Sequence, residues 1–326
     1  MNNLKKVGLS ALAGSMVAFS AQAMEMSVSG TAKITYVDEG EGSAGNTDVT
    51  GNPYGFDQTI GFNGSGDSPL GTISLMHVAN TNGSRSSSII KIDMGDAGVV
   101  SLDGGVGNSG AGTIKDMMPR AAGAEQSWDD TDGDAYFIDT PSQGAWGYDN
   151  TFAGFAVSVG YARNGGGFTG DDANTDAGDD SDKSFAVKTS LMDGMSVGYG
   201  YAETDNALAA GNNVEQTGYV TYAAGPVTIG YQATDIDKET VGGDSDSKMY
   251  GIAINMNENA SISYNARKTS ISDSNMTTSD PEDTGIAASY TVGNMTISAF
   301  NNASSGVGGT EGKEDEVTQV TMSFAF

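Results

Sequence analysis

Cysteine is absent from this 326-residue chain, so neither a disulfide framework nor a thiol nucleophile is available. Histidine occurs once, at position 77, so a nucleophile-and-base enzyme would have a single imidazole to draw on. Positive charge is scarce: 15 Lys and Arg stand against 42 Asp and Glu, a net charge of −27. That balance argues against nucleic acid as a partner, because its phosphates would be repelled. It also argues against an anionic surface unless divalent ions lie between. Beyond the N-terminal segment, no stretch reaches 18 consecutive apolar residues, so no transmembrane helix is expected. No segment outside the N-terminus carries the 3.6-residue period of an amphipathic helix. Proline is rare at 6 residues while glycine is abundant at 47, and tyrosine occurs 13 times.

The N-terminus has a basic "MNNLKK", a short apolar "VGLSALAGSMVAFS" and a small-residue "AQA". This order of parts is that of a secretory signal peptide, with cleavage expected after Ala23 and residues 1–23 removed. The apolar run is too short to span a bilayer comfortably. The mature chain would be residues 24–326.

The rest of the chain repeats one unit: an alternating segment of about ten residues, a tight turn, a second such segment, then a longer acidic loop. In "ASISYNAR" (260–267), Ala260, Ile262, Tyr264 and Ala266 oppose Ser261, Ser263, Asn265 and Arg267. In "MSVGYGYA" (195–202), Met195, Val197, Tyr199 and Tyr201 share the apolar side. Short turns fall at "GDAG" (95–98), "FAGF" (152–155), "MDGM" (192–195), "AAGP" (223–226), "MNENA" (256–260) and "VGN" (292–294), with a looser one at "GSGDSPLG" (64–71). Long connections are expected at 38–53, 80–85, 107–143, 164–182, 203–215, 235–247, 270–283 and 304–315. Sixteen strands lie between these connections, the first about 26–37 and the last about 316–326. Lipid supplies no hydrogen-bond partners, so a sheet that crosses it must close on itself. The expected fold is therefore all-β: a closed antiparallel transmembrane β-barrel with short periplasmic turns and long extracellular loops. Its apolar residues would face lipid and its small polar residues a lumen. Tyr36, Tyr161, Tyr201 and Tyr231 would form one aromatic girdle, and Phe152, Phe155 and Phe326 the other.

Two stretches carry a family resemblance. "WGYDNTFAGFAVSVGY" (146–161) leads through Phe152-Ala153-Gly154-Phe155 into a strand ending at Tyr161. "EVTQVTMSFAF" alternates and ends on Phe326, the last residue. Both resemble the general diffusion porins of the Gram-negative outer membrane, although Asp149-Asn150-Thr151 departs from the Ser-Pro or similar pair of many relatives. The resemblance implies a homotrimer of sixteen-stranded barrels that passes small hydrophilic solutes by diffusion. It also implies that the third long loop folds into the lumen, and that Phe326 is recognised by the barrel-assembly machinery.

That third loop, 107–143, is the longest, and it carries Asp116, Glu125, Asp129, Asp130, Asp132, Asp134 and Asp139 against Lys115 and Arg120. As an in-folded constriction it would set ion selectivity through its carboxylates. The alternative is a solvated surface loop. Lys33, Lys91, Lys188 and Arg267 all fall on the polar parity of their strands, so they are expected on the lumen wall opposite the acidic loop. A net preference for cations follows from the excess of carboxylates.

"DDTDGDA" (129–135) fails the EF-hand template, so no resident metal or cofactor is expected. Acidic extracellular loops such as 164–182 could share Ca2+ or Mg2+ with lipopolysaccharide phosphates. His77 lies on the apolar parity with Ile73 and Leu75, where an interfacial imidazole is expected rather than a catalytic one, and the chain is not expected to be an enzyme. The competing reading is a non-channel barrel serving as an adhesin or a structural surface protein.

Overall fold

A computed structural model describes residues 25–39, 51–105, 109–129, 131, 136–138, 143–163, 181–205, 212–239, 243–272 and 279–326. The expected signal peptide lies outside them.

Sixteen strands follow one another: β1 Glu25–Glu39, β2 Tyr54–Ser68, β3 Gly71–Asn80, β4 Arg85–Asp93, β5 Val99–Gly104, β6 Gln143–Phe152, β7 Phe155–Arg163 and β8 Ser181–Met192, then β9 Met195–Asp205, β10 Asn212–Ala224, β11 Val227–Asp237, β12 Asp244–Asn255, β13 Ala260–Ser272, β14 Glu282–Val292, β15 Met295–Ser305 and β16 Glu314–Ala325. Each pairs antiparallel with its sequence neighbours, and β16 returns to β1, so the sheet is a closed barrel without an edge. Closure satisfies every strand's outer hydrogen bonds within the protein.

The alternation decides which side faces out. On β13 Ser261, Ser263, Asn265 and Arg267 are buried while Ile262 and Tyr264 are exposed. Exposed apolar side chains continue around the outside, including Phe56 and Phe62 on β2, Ile90 on β4 and Ile286 on β14. Aromatic pairs lie on this outer face, with ring centroids 5.6 Å apart for Tyr36–Tyr54 and 5.2 Å for Tyr231–Tyr250.

The seam runs from Glu39↔Val317 to Thr31↔Ala325. One step further, Gly30 and Phe326 exchange both backbone hydrogen bonds, at 2.7 and 3.0 Å. The Phe326 ring then lies over Gly30, in the space a Cβ would take. The hairpin at 152–155 is as tight as its sequence suggests. Ala153 and Gly154 both have positive φ, 50° and 87°, the pattern of a two-residue primed turn.

Several connections are shorter than the acidic composition suggests. The connection expected at 203–215 loses residues at both ends, since β9 runs to Asp205 and β10 begins at Asn212. Likewise β11 continues to Asp237 and β12 starts at Asp244, inside the expected loop 235–247. Apolar alternation stops where the lipid band ends, but backbone groups beyond it still need partners, and the ladder supplies them. The loose turn at 64–71 tightens to Pro69–Leu70, with Ser68 paired to Gly71.

Candidate functional site: a loop against the inner wall

The described residues that follow β5 stay inside the barrel. They run along the inner wall from β7 to β15, tied at each step by a polar inward side chain. The Gly110 amide donates to Ser158 Oγ at 2.9 Å, and the Ala111 amide to Ser184 Oγ at 3.2 Å. Gln232 on β11 accepts from the Met117 amide at 2.9 Å and donates to the Lys115 carbonyl at 2.8 Å. Asn265 donates to the Pro119 carbonyl at 3.0 Å, and Ser261 accepts from the Ala122 amide at 3.0 Å. Asn302 on β15 donates to the carbonyls of Gln126 and Asp129, at 2.6 and 3.0 Å. Small inward residues therefore serve as hydrogen-bond partners for a loop backbone that lacks a ladder of its own.

Glycine lets the loop approach this closely. A Cβ on Gly230 or Gly251 would stand 2.6 or 2.8 Å from the Pro119 ring, and one on Gly285 would stand 2.8 Å from Ser127 Cα. Gly251→Val should push the loop off β12 at a cost of about 1–3 kcal/mol from overpacking. The expected outcome is a lower heat-denaturation temperature with unchanged β-sheet circular dichroism at room temperature.

Four small apolar clusters complete the docking. In one, Met118, Trp128 and Phe137 of the loop pack on Met249 of β12. Beside it, Arg267 on β13 is 1% exposed. Its Nε donates to Asp283 Oδ2 at 2.7 Å. Its guanidinium lies 5.6, 5.2 and 5.5 Å from the ring centroids of Trp128, Tyr136 and Phe137. A buried charge is stable only when paired, and stacked rings add cation–π attraction. The cage joins the wall to the loop.

Inside the loop, Asp116 accepts from the Met118 amide at 3.1 Å and from Gln126 Nε2 at 3.2 Å. Burial pushes its carboxyl above the ordinary value; the two hydrogen bonds pull it down, the Asp129 charge adds to the rise and Arg120 opposes it. An acid whose folded pKa is raised destabilises the fold when ionised. The docked loop should therefore gain stability as pH falls through that raised value. Protection factors of the residue 110–129 amides, that is exchange corrected for its base-catalysed intrinsic rate, should be higher at mildly acidic pH than at neutral pH, and Asp116→Asn should flatten the difference.

The expected site residues are distributed unevenly. Lys33 and Lys91 project from the inner face of β1 and β4 and are exposed. Lys188 on β8 is half-buried near the start of the loop. Arg267 lies behind the loop rather than at its free side. Glu125 and Asp129 are half-buried in the loop. Asp130, Asp132 and Asp134 lie outside the described residues. Trp128 and the wall residues Gln232 and Asn302 were not singled out from the sequence. A tryptophan inside an acidic stretch, "SWDDTD" (127–132), was the available signal, since a solvated loop has no use for it. A Gly-x-Ser-x-Gly match at 194–198 sits on the β8–β9 hairpin, where Ser196 shares a hydrogen bond with Tyr219 at 2.9 Å; His77 lies on the outer side of β3.

The same asymmetry marks the open part of the lumen. Inner-face Ser27, Ser29, Thr31 and Lys33 of β1 are exposed, whereas inner-face residues of β13 and β14 are buried beneath the loop. The sequence profile of the Gram-negative porins matches residues 8–326.

The chain belongs to the Gram-negative porin family.

The porin's fold agrees with that assignment. It is similar to the OmpF of Salmonella typhi solved with daunomycin, at 10% identity and TM-score 0.68 over 92% of this chain and 97% of that one. It is similar to the in-vitro folded OmpT of Vibrio cholerae in its trimer form, at 10% identity and TM-score 0.66 over 93% and 100%. It is also similar to an anion-selective porin from Comamonas acidovorans, at 15% identity and TM-score 0.61 over 93% and 100%. No curated protein matches the sequence. The family places the porin in the outer membrane of a Gram-negative bacterium.

Proposed function

We propose that this porin forms a water-filled channel for passive diffusion of small hydrophilic solutes and ions, with a preference for cations. The observation that carries the reading is the lopsided lumen: the loop lies on the β7–β15 wall, while inner-face residues of β1 stay exposed inside a closed barrel. Sixteen strands leave room for such a channel. The segment 107–143 is the constriction in this reading. Glu125, Asp129, Asp130, Asp132 and Asp134 supply the acidic side, with Asp116 held within the loop, and Lys33, Lys91 and Lys188 supply the basic side. Arg267 acts there as the anchor of the loop.

An anion-selective protein shares this fold, so selectivity must come from side chains. Carboxylates in a narrow gap favour cations, and at physiological salt the Debye length of about 8 Å confines the effect to charges near the gap. Neutralising Glu125, Asp129, Asp130, Asp132 and Asp134 to Gln or Asn should move the reversal potential in a salt gradient toward zero or past it. An anion-selective wild type, or no shift in the variant, would refute the assignment.

Assembly as a homotrimer is supported by the trimer form of the similar Vibrio cholerae protein. The reading further includes removal of residues 1–23 on export, recognition of Phe326 by the assembly machinery, and no catalysis. It needs no resident cofactor. Ca2+ or Mg2+ would bridge acidic extracellular loops to lipopolysaccharide phosphates, where the outward Asp235, Asp237 and Asp246 already crowd together. N-terminal sequencing of the outer-membrane form should begin at Met24.

A further inference from the structure

Between the start of the loop and the short-turn mouth lies a cavity of about 660 Å³ on the inner wall. Its floor is made by Ala156 and Ser158 of β7, and Thr113 of the loop lies above. Asp149 of β6 stands on one side and Lys188 of β8 on the other. Register explains the gap. Lys188 is opposite Ala156, and Asp149 is opposite Ser158, so two short side chains separate the charges. Their backbones are two strand spacings apart and offset by two residues along the strands, about 12 Å in all. Neither Lys188 nor Asp149 has an ion-pair partner within 4 Å among the described residues. Both are half-buried, so water screens them less than it screens the rim.

We infer that this cavity is a subsite for zwitterionic solutes of the α-amino acid class, with the carboxylate of the solute on Lys188 and its ammonium on Asp149. A zwitterion satisfies both unpaired charges at once, whereas a simple anion or cation satisfies one and meets repulsion from the other. Charge-assisted hydrogen bonds are about twice as strong as neutral ones, so two of them can hold a small solute briefly in an aqueous passage. Asp96, on the turn at the mouth, adds a second carboxylate and favours entry of the ammonium end on that side. The subsite lies under Thr113 at the short-turn end of the constriction, with Lys188 as the last of its basic residues. A solute crossing toward the short-turn side meets it last.

The inference rests on the channel reading, and current recording separates the two. With the porin in a planar bilayer, L-glutamine added on the short-turn side should cause brief concentration-dependent interruptions of the open current. The concentration for half occupancy should rise at least tenfold in Lys188→Gln and in Asp149→Asn. In the wild type it should rise at least tenfold for N-acetyl-L-glutamine, which lacks the ammonium, and for L-glutamine amide, which lacks the carboxylate. These analogues keep the test valid even if a variant fails to insert. Absence of any open current would overturn the channel reading itself. Normal current with no interruptions would overturn the subsite alone. Interruptions sensitive to Lys188→Gln but not to Asp149→Asn, with the acetylated analogue as effective as L-glutamine, would show a plain anion site and also overturn it.

Discussion

Arg267→Met should loosen the loop and give larger, noisier current steps, with a marked fall in heat stability. Removing one member of a buried ion pair leaves the other charged and unpaired, at a cost of about 3–5 kcal/mol. Here the pair is fully enclosed: the side chains of Arg267 and Asp283 have no exposure, and three loop rings surround the guanidinium. The sheet itself does not need the pair, because β13 and β14 remain joined from Ala260↔Tyr290 to Lys268↔Glu282. Loss should therefore fall on the loop, whose Trp128 and Phe137 pack beside the cage. A second variant separates charge from shape. Arg267→Met combined with Asp283→Leu removes both charges, and it should recover part of the stability lost in Arg267→Met. Equal stability of the single variant and wild type, with equal current noise, would show that the cage does not hold the loop.

Deleting Phe326 should lower the amount of folded barrel roughly ten- to hundredfold under limiting conditions. Burying a phenylalanine side chain contributes about 1.5–3 kcal/mol, and each 1.4 kcal/mol is about tenfold in an equilibrium. The deletion also removes the two backbone hydrogen bonds with Gly30 that extend the seam. Phe326 is 73% exposed in the isolated chain, so its ring is available to lipid and to the assembly machinery while one side covers Gly30. Gly30→Val should fail in the same direction, because its side chain occupies the position of the ring. Chains that do fold should conduct normally, since the ring points away from the lumen. A normal folded yield with altered conductance would contradict this placement.

Period-two alternation made most of this barrel legible. Val320, Met322 and Phe324 share a parity in the sequence, and the seam register gives them a common face. The same parity rule placed Lys33, Lys91, Lys188 and Arg267 on the inner side. Parity, however, gives a face and not a depth. Lys33 and Arg267 satisfy the same rule, yet one is exposed and the other sealed, because only the second lies beneath the loop. The path of the loop is recorded in single residues scattered over nine strands: serines, Gln232, Asn265 and Asn302, and inward glycines where the backbones approach. Such residues read as ordinary polar lumen positions until the loop is laid across them. Strand ends beyond the lipid band were misjudged for a related reason, since acidic residues such as Asp205 and Asp237 still pair where apolar alternation has stopped.

The central claim is that the uncovered side of the lumen is an open aqueous path. Single-channel recording of the purified protein in planar bilayers tests it most directly. Discrete steps that scale with bulk salt conductivity, and a reversal potential of cation-selective sign in a salt gradient, are the expected result. Folded protein that inserts into the bilayer without conducting would contradict it and favour a barrel with a structural or adhesive role.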